Sequence, residues 1–264
     1  MPYSNYHTHT NFSDGGNTPE EMVLAAIQEG CPELGFSDHS YLDFDDTWTM
    51  TPESEPAYKA EILRLKEAYK DQISIKLGVE LDTYTKDMDL SDYDYVIGAV
   101  HCVFKDGHYI PVDLAVEDLL KEIDTLYDGD RYAFIEDYYK EVARVYEKTH
   151  CNIVAHFDLC TKFLEKGFEI DISSPRYMQA ADAALDALLE QPVIFEVNTG
   201  AMSRGYRGEP YPDERILLNL AEAGKPVILS SDSHSVDTIT YAFPEAEALT
   251  KKYDLTLLSR LNLW

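Results

Sequence analysis

An α/β barrel is the fold class this sequence predicts, and three observations carry that expectation. Seven apolar runs of strand length alternate with amphipathic helical stretches along the whole chain. The runs are close to continuously apolar, as in Val-Ile-Phe at 193–195 and Val-Ile-Leu at 227–229. Strands that read this way are buried on both faces, as in a parallel sheet covered by helices. At 264 residues the chain also has the length at which α/β barrels occur as one unit. No linker, low-complexity tract or repeat divides it, so residues 1–264 are expected to form a single domain.

The strands are expected at 3–7, 34–37, 73–81, 95–101, 152–156, 193–198 and 227–231. The first helix has the clearest start. Thr18 offers an N-cap, Pro19 stands at the first helical position, Glu21 completes a capping box, and Gly30 ends the helix. Further helices are expected at 55–70, 114–127, 131–148, 175–189, 213–223 and 244–253. The longest irregular stretch, 40–52, is rich in acids and aromatics and carries Trp48, which makes it a surface loop or a lid.

Hydrophobic residues make up 45% of the chain, enough for a large core and against disorder. No segment reaches the roughly 18 uninterrupted apolar residues of a membrane span. The N-terminus lacks the basic-then-apolar pattern of a signal peptide, so a cytoplasmic protein without a membrane partner is expected. The formal net charge is −27, which repels nucleic-acid backbones and anionic membranes at long range. A small phosphorylated substrate stays possible, because bound divalent cations invert the potential locally. Oligomeric state leaves no mark on the sequence. Cys31, Cys102, Cys151 and Cys160 form no C-x-x-C pair and read as reduced, mostly buried residues. Cys102 follows His101 directly and is expected to face away from it.

In a βα barrel the C-terminal ends of the strands converge on one face, where the chemistry sits. Those ends supply His7 and His9, then His39, Glu80, His101, His156, and finally Asp232 with His234. Asp14, in the loop after the first strand, is a further candidate. His7 and His9 are two apart on a strand and point the same way, and Asp232 and His234 repeat the spacing. Imidazole and carboxylate suit zinc, iron or manganese, and a carboxylate can bridge two ions. Glu80 ends a long apolar strand, where an unpaired charge would be expensive. Any one of these histidines alone would be read as an ordinary core or surface residue; six of eight at strand ends would not. His108, in a loop, and His150, at a helix terminus, are set aside.

This ordered set resembles the polymerase and histidinol phosphatase (PHP) superfamily. The matching motifs are His7-Thr8-His9, Ser37-Asp38-His39, Gly78-Val79-Glu80, Ala99-Val100-His101, Ala155-His156 and Ser231-Asp232-Ser233-His234. The resemblance implies a distorted TIM-like (β/α)7 barrel with two to three divalent ions (zinc, manganese or iron) in a trinuclear site. It implies one ion on His7, His9, Glu80 and Asp232, and a second that shares Glu80 and adds His101 and His156. A third would take His39 and His234 with Asp14, a position where some relatives use histidine. Within the superfamily the chain is most similar to histidinol-phosphate phosphatases, on residues 7–16, residues 155–163, Glu196-Val197-Asn198-Thr199 and Tyr211-Pro212.

The implied reaction is hydrolysis of a phosphate monoester, L-histidinol phosphate, to L-histidinol and phosphate in histidine biosynthesis. A metal-bridging hydroxide would attack phosphorus while the ions neutralise the phosphoryl oxygens. Glu80, Asp232 and His234 are the catalytic candidates; the leaving-group proton would come from Asp232, a histidine or water. Arg204 and Arg207, and Lys162 beside them, are the candidate phosphate ligands in a chain short of bases. Asp43, Asp45 or Asp46 could attract the substrate amine. Competing readings are a superfamily phosphoesterase acting on a nucleotide, an oligonucleotide end or phosphotyrosine, a metal-dependent amidohydrolase, and a non-catalytic metal-binding module.

Overall fold

The apolar runs pair in parallel, and their order in the sheet follows the chain. The computed structural model describes residues 3–261, so the ends of the expected 1–264 unit lie outside it. Its strands are β1 (Glu33–Phe36), β2 (Ser74–Asp82), β3 (Tyr95–Ala99), β4 (Cys102–Lys105), β5 (His108–Pro111), β6 (Ile153–Val154), β7 (Ile194–Asn198), β8 (Pro226–Ser230) and β9 (Thr256–Leu257). Seven of them form one sheet in the order β1-β2-β3-β6-β7-β8-β9, every neighbouring pair parallel. Helices fill the connections: α1 (Pro19–Gln28), α2 (Glu55–Ala68), α3 (Val116–Leu126), α4 (Arg131–Val142), α5 (Val145–Thr149), α6 (Pro175–Leu189), α7 (Gly200–Ser203), α8 (Glu214–Glu222) and α9 (Phe243–Lys252). The capping box at Thr18 and Glu21 forms as the sequence predicts.

The opening segment curls the sheet into a distorted barrel. Asn5 bridges to Leu34 and Thr8 to Ser233, both in parallel, so this stretch touches both sides of the sheet. The Gly35 amide donates to the Asn5 carbonyl at 2.8 Å, and the His9 amide to the Ser233 carbonyl at 2.8 Å. The expected strand at 3–7 therefore contributes one isolated bridge, at Asn5, with a second just beyond it at Thr8. Its residues spend their backbone groups on two different neighbours and never build a ladder with one.

Three further differences have physical causes. The hairpin β4–β5 falls where the sequence reads as loop, and it places His108 on an exposed strand. β9 is two residues long, too short for periodicity to show. The helix expected over 131–148 breaks at Ala143-Arg144 into α4 and α5, without a proline or glycine to announce it.

Burial divides into two clusters. The larger joins the helices to the outer face of the sheet. The smaller holds Tyr6, Tyr95, Ile97, Ala99, Ile153, Ala155 and Ile228. On β3, Tyr95, Ile97 and Ala99 alternate onto one face, and continuing that face leads to His101. An apolar floor thus underlies the polar strand ends. No helix among the described residues is long and apolar enough to cross a membrane.

Candidate metal centre

Six histidines and three carboxylates from separate strand ends meet in one nest. Glu80 is its centre. One of its oxygens, Oε2, lies 2.9 Å from His39 Nδ1, 3.3 Å from His7 Nε2 and 3.5 Å from His9 Nε2. The other, Oε1, lies 3.0 Å from His156 Nε2 and 3.4 Å from His101 Nε2. Asp232 Oδ1 faces His9 Nε2 at 3.2 Å and His7 Nε2 at 3.6 Å. Asp14 completes the rim, with Oδ2 3.1 Å from His234 Nε2 and Oδ1 3.6 Å from His39 Nε2.

The donor atoms fall into four overlapping groups, each compact enough to hold an ion: His9, Asp14, His39 and His234; His7, His156 and Asp232; His7, His9 and Glu80; and His39, Glu80 and His101. All nine residues that the sequence singles out as ligands are among them. His156 groups with His7 and Asp232, whereas the sequence reading pairs it with His101. Cys102 belongs to none of these groups but lines the adjoining cavity. β3 ends at Ala99 and β4 begins at Cys102, so His101 and Cys102 straddle the break between two strands and both border the cavity.

Local backbone chemistry places the nest. Asp232, just beyond β8, has φ of 49°, a left-handed conformation that aspartate tolerates better than most residues. Gly200, at the start of α7, must lack a side chain, since a Cβ there would lie 2.8 Å from the Asp232 Cβ. Gly15 packs on the His9 backbone with equal closeness, 2.6 Å from an added Cβ. Buried Asp38 ties the loop after His9 to β1: it accepts from the Thr10 amide at 2.8 Å and the Ser13 hydroxyl at 2.6 Å.

Electrostatics and hydrogen bonding both fit cations. Burial alone would raise the Glu80 pKa, but His7, His39 and His101 outweigh it and hold the carboxyl well below its usual range. Burial would likewise raise Asp232, and Arg204 with His7 overcomes it, so this carboxylate also stays ionised. His9 is pushed down to about 3 by burial and by the neighbouring His39 and His234, which leaves it neutral and ready to donate a lone pair. Four buried atoms at the centre find no hydrogen-bond partner: His7 Nε2, both ring nitrogens of His9, and Glu80 Oε2. Buried polar atoms are normally satisfied, and bound divalent ions would satisfy these. Imidazole nitrogen and carboxylate oxygen are the donors that zinc, iron and manganese take. The chain therefore provides clusters able to bind several divalent ions.

A cavity of about 220 Å³ opens onto the nest. Arg204 and Lys162 line it. The Arg204 guanidinium sits 2.9 Å from Asp232 Oδ2, and Lys162 Nζ sits 3.2 Å from Asp113 Oδ2. Arg207 is placed differently. Its side chain is buried against Asp158, 3.6 Å away, and over the Tyr211 ring, outside the cavity lining. That placement puts it off the stretch of cavity wall that Arg204 and Lys162 line. The acids of the 40–52 loop are also engaged elsewhere. Asp43 pairs with Lys86 at 2.7 Å, and Asp45 accepts from Trp48 Nε1 at 3.0 Å. Asp46 does not line the cavity, whose wall contains Asp14, Asp113 and Asp232. Trp48 itself stands edge-on to His39 and His101, at ring distances of 4.7 and 5.3 Å, so this loop roofs the nest.

Two carboxylates escape the strand-end reading. Asp82 accepts from the His101 amide at 3.0 Å, and its Oδ2 lies 3.2 Å from His101 Nδ1. Glu196 Oε2 lies 2.8 Å from His7 Nδ1. Their signal was present as Glu80-Leu81-Asp82 and Glu196-Val197-Asn198, polar residues two apart on one strand face.

Comparison with known proteins agrees with this geometry. The PHP domain model matches residues 5–200, and the chain belongs to that family. The histidinol-phosphatase of Bacillus subtilis (strain 168) is 27% identical over 262 residues, covering 90% of this chain and 95% of that protein. A candidate histidinol phosphatase, HisK, of Listeria monocytogenes has a crystal structure that superposes with a TM-score of 0.78 at 24% identity, covering 92% of this chain and 99% of that one. The histidinol phosphate phosphatase of Lactococcus lactis subsp. lactis Il1403, solved with zinc, L-histidinol and phosphate, superposes with a TM-score of 0.68 at 22% identity, covering 97% and 95%. At these identities the two structures establish the shared fold.

Proposed function

We propose that this protein is a metal-dependent phosphoric monoester hydrolase that converts L-histidinol phosphate to L-histidinol and phosphate, with residues 1–264 acting as one catalytic unit in histidine biosynthesis. The observation that carries this reading is the nest of six histidines and three carboxylates, whose central atoms lack partners inside the protein. The names of the full-length relatives support the substrate. Bound divalent ions would lower the pKa of a water molecule and neutralise the phosphoryl oxygens.

The chain's own residues supply the rest. Glu80, with one oxygen toward His7, His9 and His39 and the other toward His101 and His156, would be the ligand shared between two ions. Arg204 is held by Asp232 at the cavity wall, where its planar fork can take two phosphate oxygens. Lys162 adds a second positive charge on the same wall. Because Asp232 stays ionised, it is a poor source of the leaving-group proton, which leaves an uncoordinated histidine or water. The cavity, about 220 Å³, lies below the roughly 300–1,000 Å³ of pockets for drug-sized ligands, which favours a small ester over a polymer end.

A phosphate-release panel tests the assignment. L-Histidinol phosphate should be turned over with a kcat/KM well above that of nucleoside monophosphates or phosphotyrosine. A stronger preference for a nucleotide would overturn the substrate and leave the metal chemistry standing.

A further inference from the structure

We propose that Glu196 is a positioning residue that serves two candidate ligands at once, fixing the tautomer of His7 and the placement of His156. The proposal rests on the reading that these two histidines hold ions. Glu196 lies on β7, and its carboxylate is fully enclosed. It meets three donors and no lysine or arginine: Oε2 faces His7 Nδ1 at 2.8 Å, while Oε1 accepts from the His156 amide at 2.6 Å and from Asn198 Nδ2 at 2.7 Å.

An ionised carboxylate can only accept. Where Glu196 accepts at Nδ1, the neutral His7 ring that a metal ion requires carries its hydrogen on that nitrogen and keeps its lone pair on Nε2. That nitrogen points into the nest, 3.3 Å from Glu80 Oε2 and 3.6 Å from Asp232 Oδ1, and it has no hydrogen-bond partner. The same carboxylate grips the backbone at His156, whose Nε2 lies 3.0 Å from Glu80 Oε1. His7 and His156 lie 149 positions apart in the chain, yet both fall in one donor group with Asp232. Asp82 makes the corresponding contacts to His101 alone, so Glu196 governs two ligands where Asp82 governs one.

Glutamine at 196 would offer one carbonyl oxygen to three donors and turn its own amide hydrogens toward one of them. A donor left facing a donor in a buried site is costly, and loss of an outer partner of a metal-bound histidine typically weakens binding about 10–100-fold. Metal-free wild type, Glu196→Gln and Glu196→Asp would be titrated with zinc alone, reading zinc per chain by elemental analysis and histidine tautomers by 15N NMR. In the wild type, His7 should be hydrogenated on Nδ1 before zinc is added. One zinc should bind about 10–100-fold more weakly in Glu196→Gln, with His7 distributed between tautomers, and Glu196→Asp should fall between. Should the glutamine variant not fold, the aspartate variant, which keeps the charge one methylene shorter, carries the comparison. Wild-type affinity for every zinc in the folded variants, with the His7 tautomer unchanged, would overturn the proposal alone. A wild type that binds no more than one zinc would overturn the multi-ion reading, and this proposal with it.

Discussion

Two buried polar regions occupy opposite ends of the strands, and they are finished differently. At the N-terminal ends, the Tyr6 hydroxyl bonds to Glu33 and accepts from the Leu261 amide at 2.9 Å. Ser74 donates to Glu33 at 2.7 Å, and the Tyr95 hydroxyl donates to the Tyr6 and Phe36 carbonyls. Burial and then Glu33 push the Tyr6 hydroxyl pKa up, so it stays a donor. The side-chain groups of this network are satisfied from within the chain. At the C-terminal ends, by contrast, His7, His9 and Glu80 converge with atoms that make no well-formed hydrogen bond among the described residues. The Tyr6–Glu33–Tyr95 network closes on itself, whereas the cluster of open imidazole and carboxylate atoms around Glu80 is suited to something it must bind.

Substitutions at the two ends should therefore fail in different ways. Glu80→Ala removes the acid that faces five imidazoles, and it should abolish phosphate release while the secondary structure seen by circular dichroism stays intact. Its metal content should fall as well. Wild-type protein at free metal about 100 times the dissociation constant gains about 2.7 kcal/mol of stability, and the variant should lose most of that gain. An active Glu80→Ala would break the contrast. Gly78→Ala probes the other end. Its Cβ would lie 2.2 Å from the Tyr95 ring, and overpacking a well-filled core costs about 1–3 kcal/mol, occasionally more. The melting temperature should drop, yet the fraction that remains folded should bind the wild-type number of ions. A Gly78→Ala protein of wild-type stability would mean that the floor is softer than its packing indicates.

The contrast also explains what could be read before the structure. The ligand set was legible because strand ends in a barrel converge, so His7, His39, Glu80, His101, His156 and Asp232 could be placed together from their positions alone. The helix starts at Thr18-Pro19 and Ser174-Pro175 were legible because caps and prolines act locally. What escaped depends on partners far along the chain. The segment 3–7 reads as a strand, but the bridges Asn5 to Leu34 and, just beyond it, Thr8 to Ser233 give it no ladder of its own. The contact of Arg207 with Asp158, 49 positions earlier in the chain, leaves no mark on the sequence around either residue. Glu196 reads as a strand residue until His7, 189 positions away, turns out to be its partner. The sequence does not mark where β3 stops, so the start of a new strand at Cys102 was not legible in it.

The central claim is that this nest holds divalent ions that hydrolyse a small phosphate ester. Its most direct test is phosphate release from L-histidinol phosphate, measured on one wild-type preparation before chelation, after chelation, and after divalent metal is restored. Release should disappear with the metal and return with it. Release that persists in the metal-free protein, or never occurs with metal bound, would contradict the account.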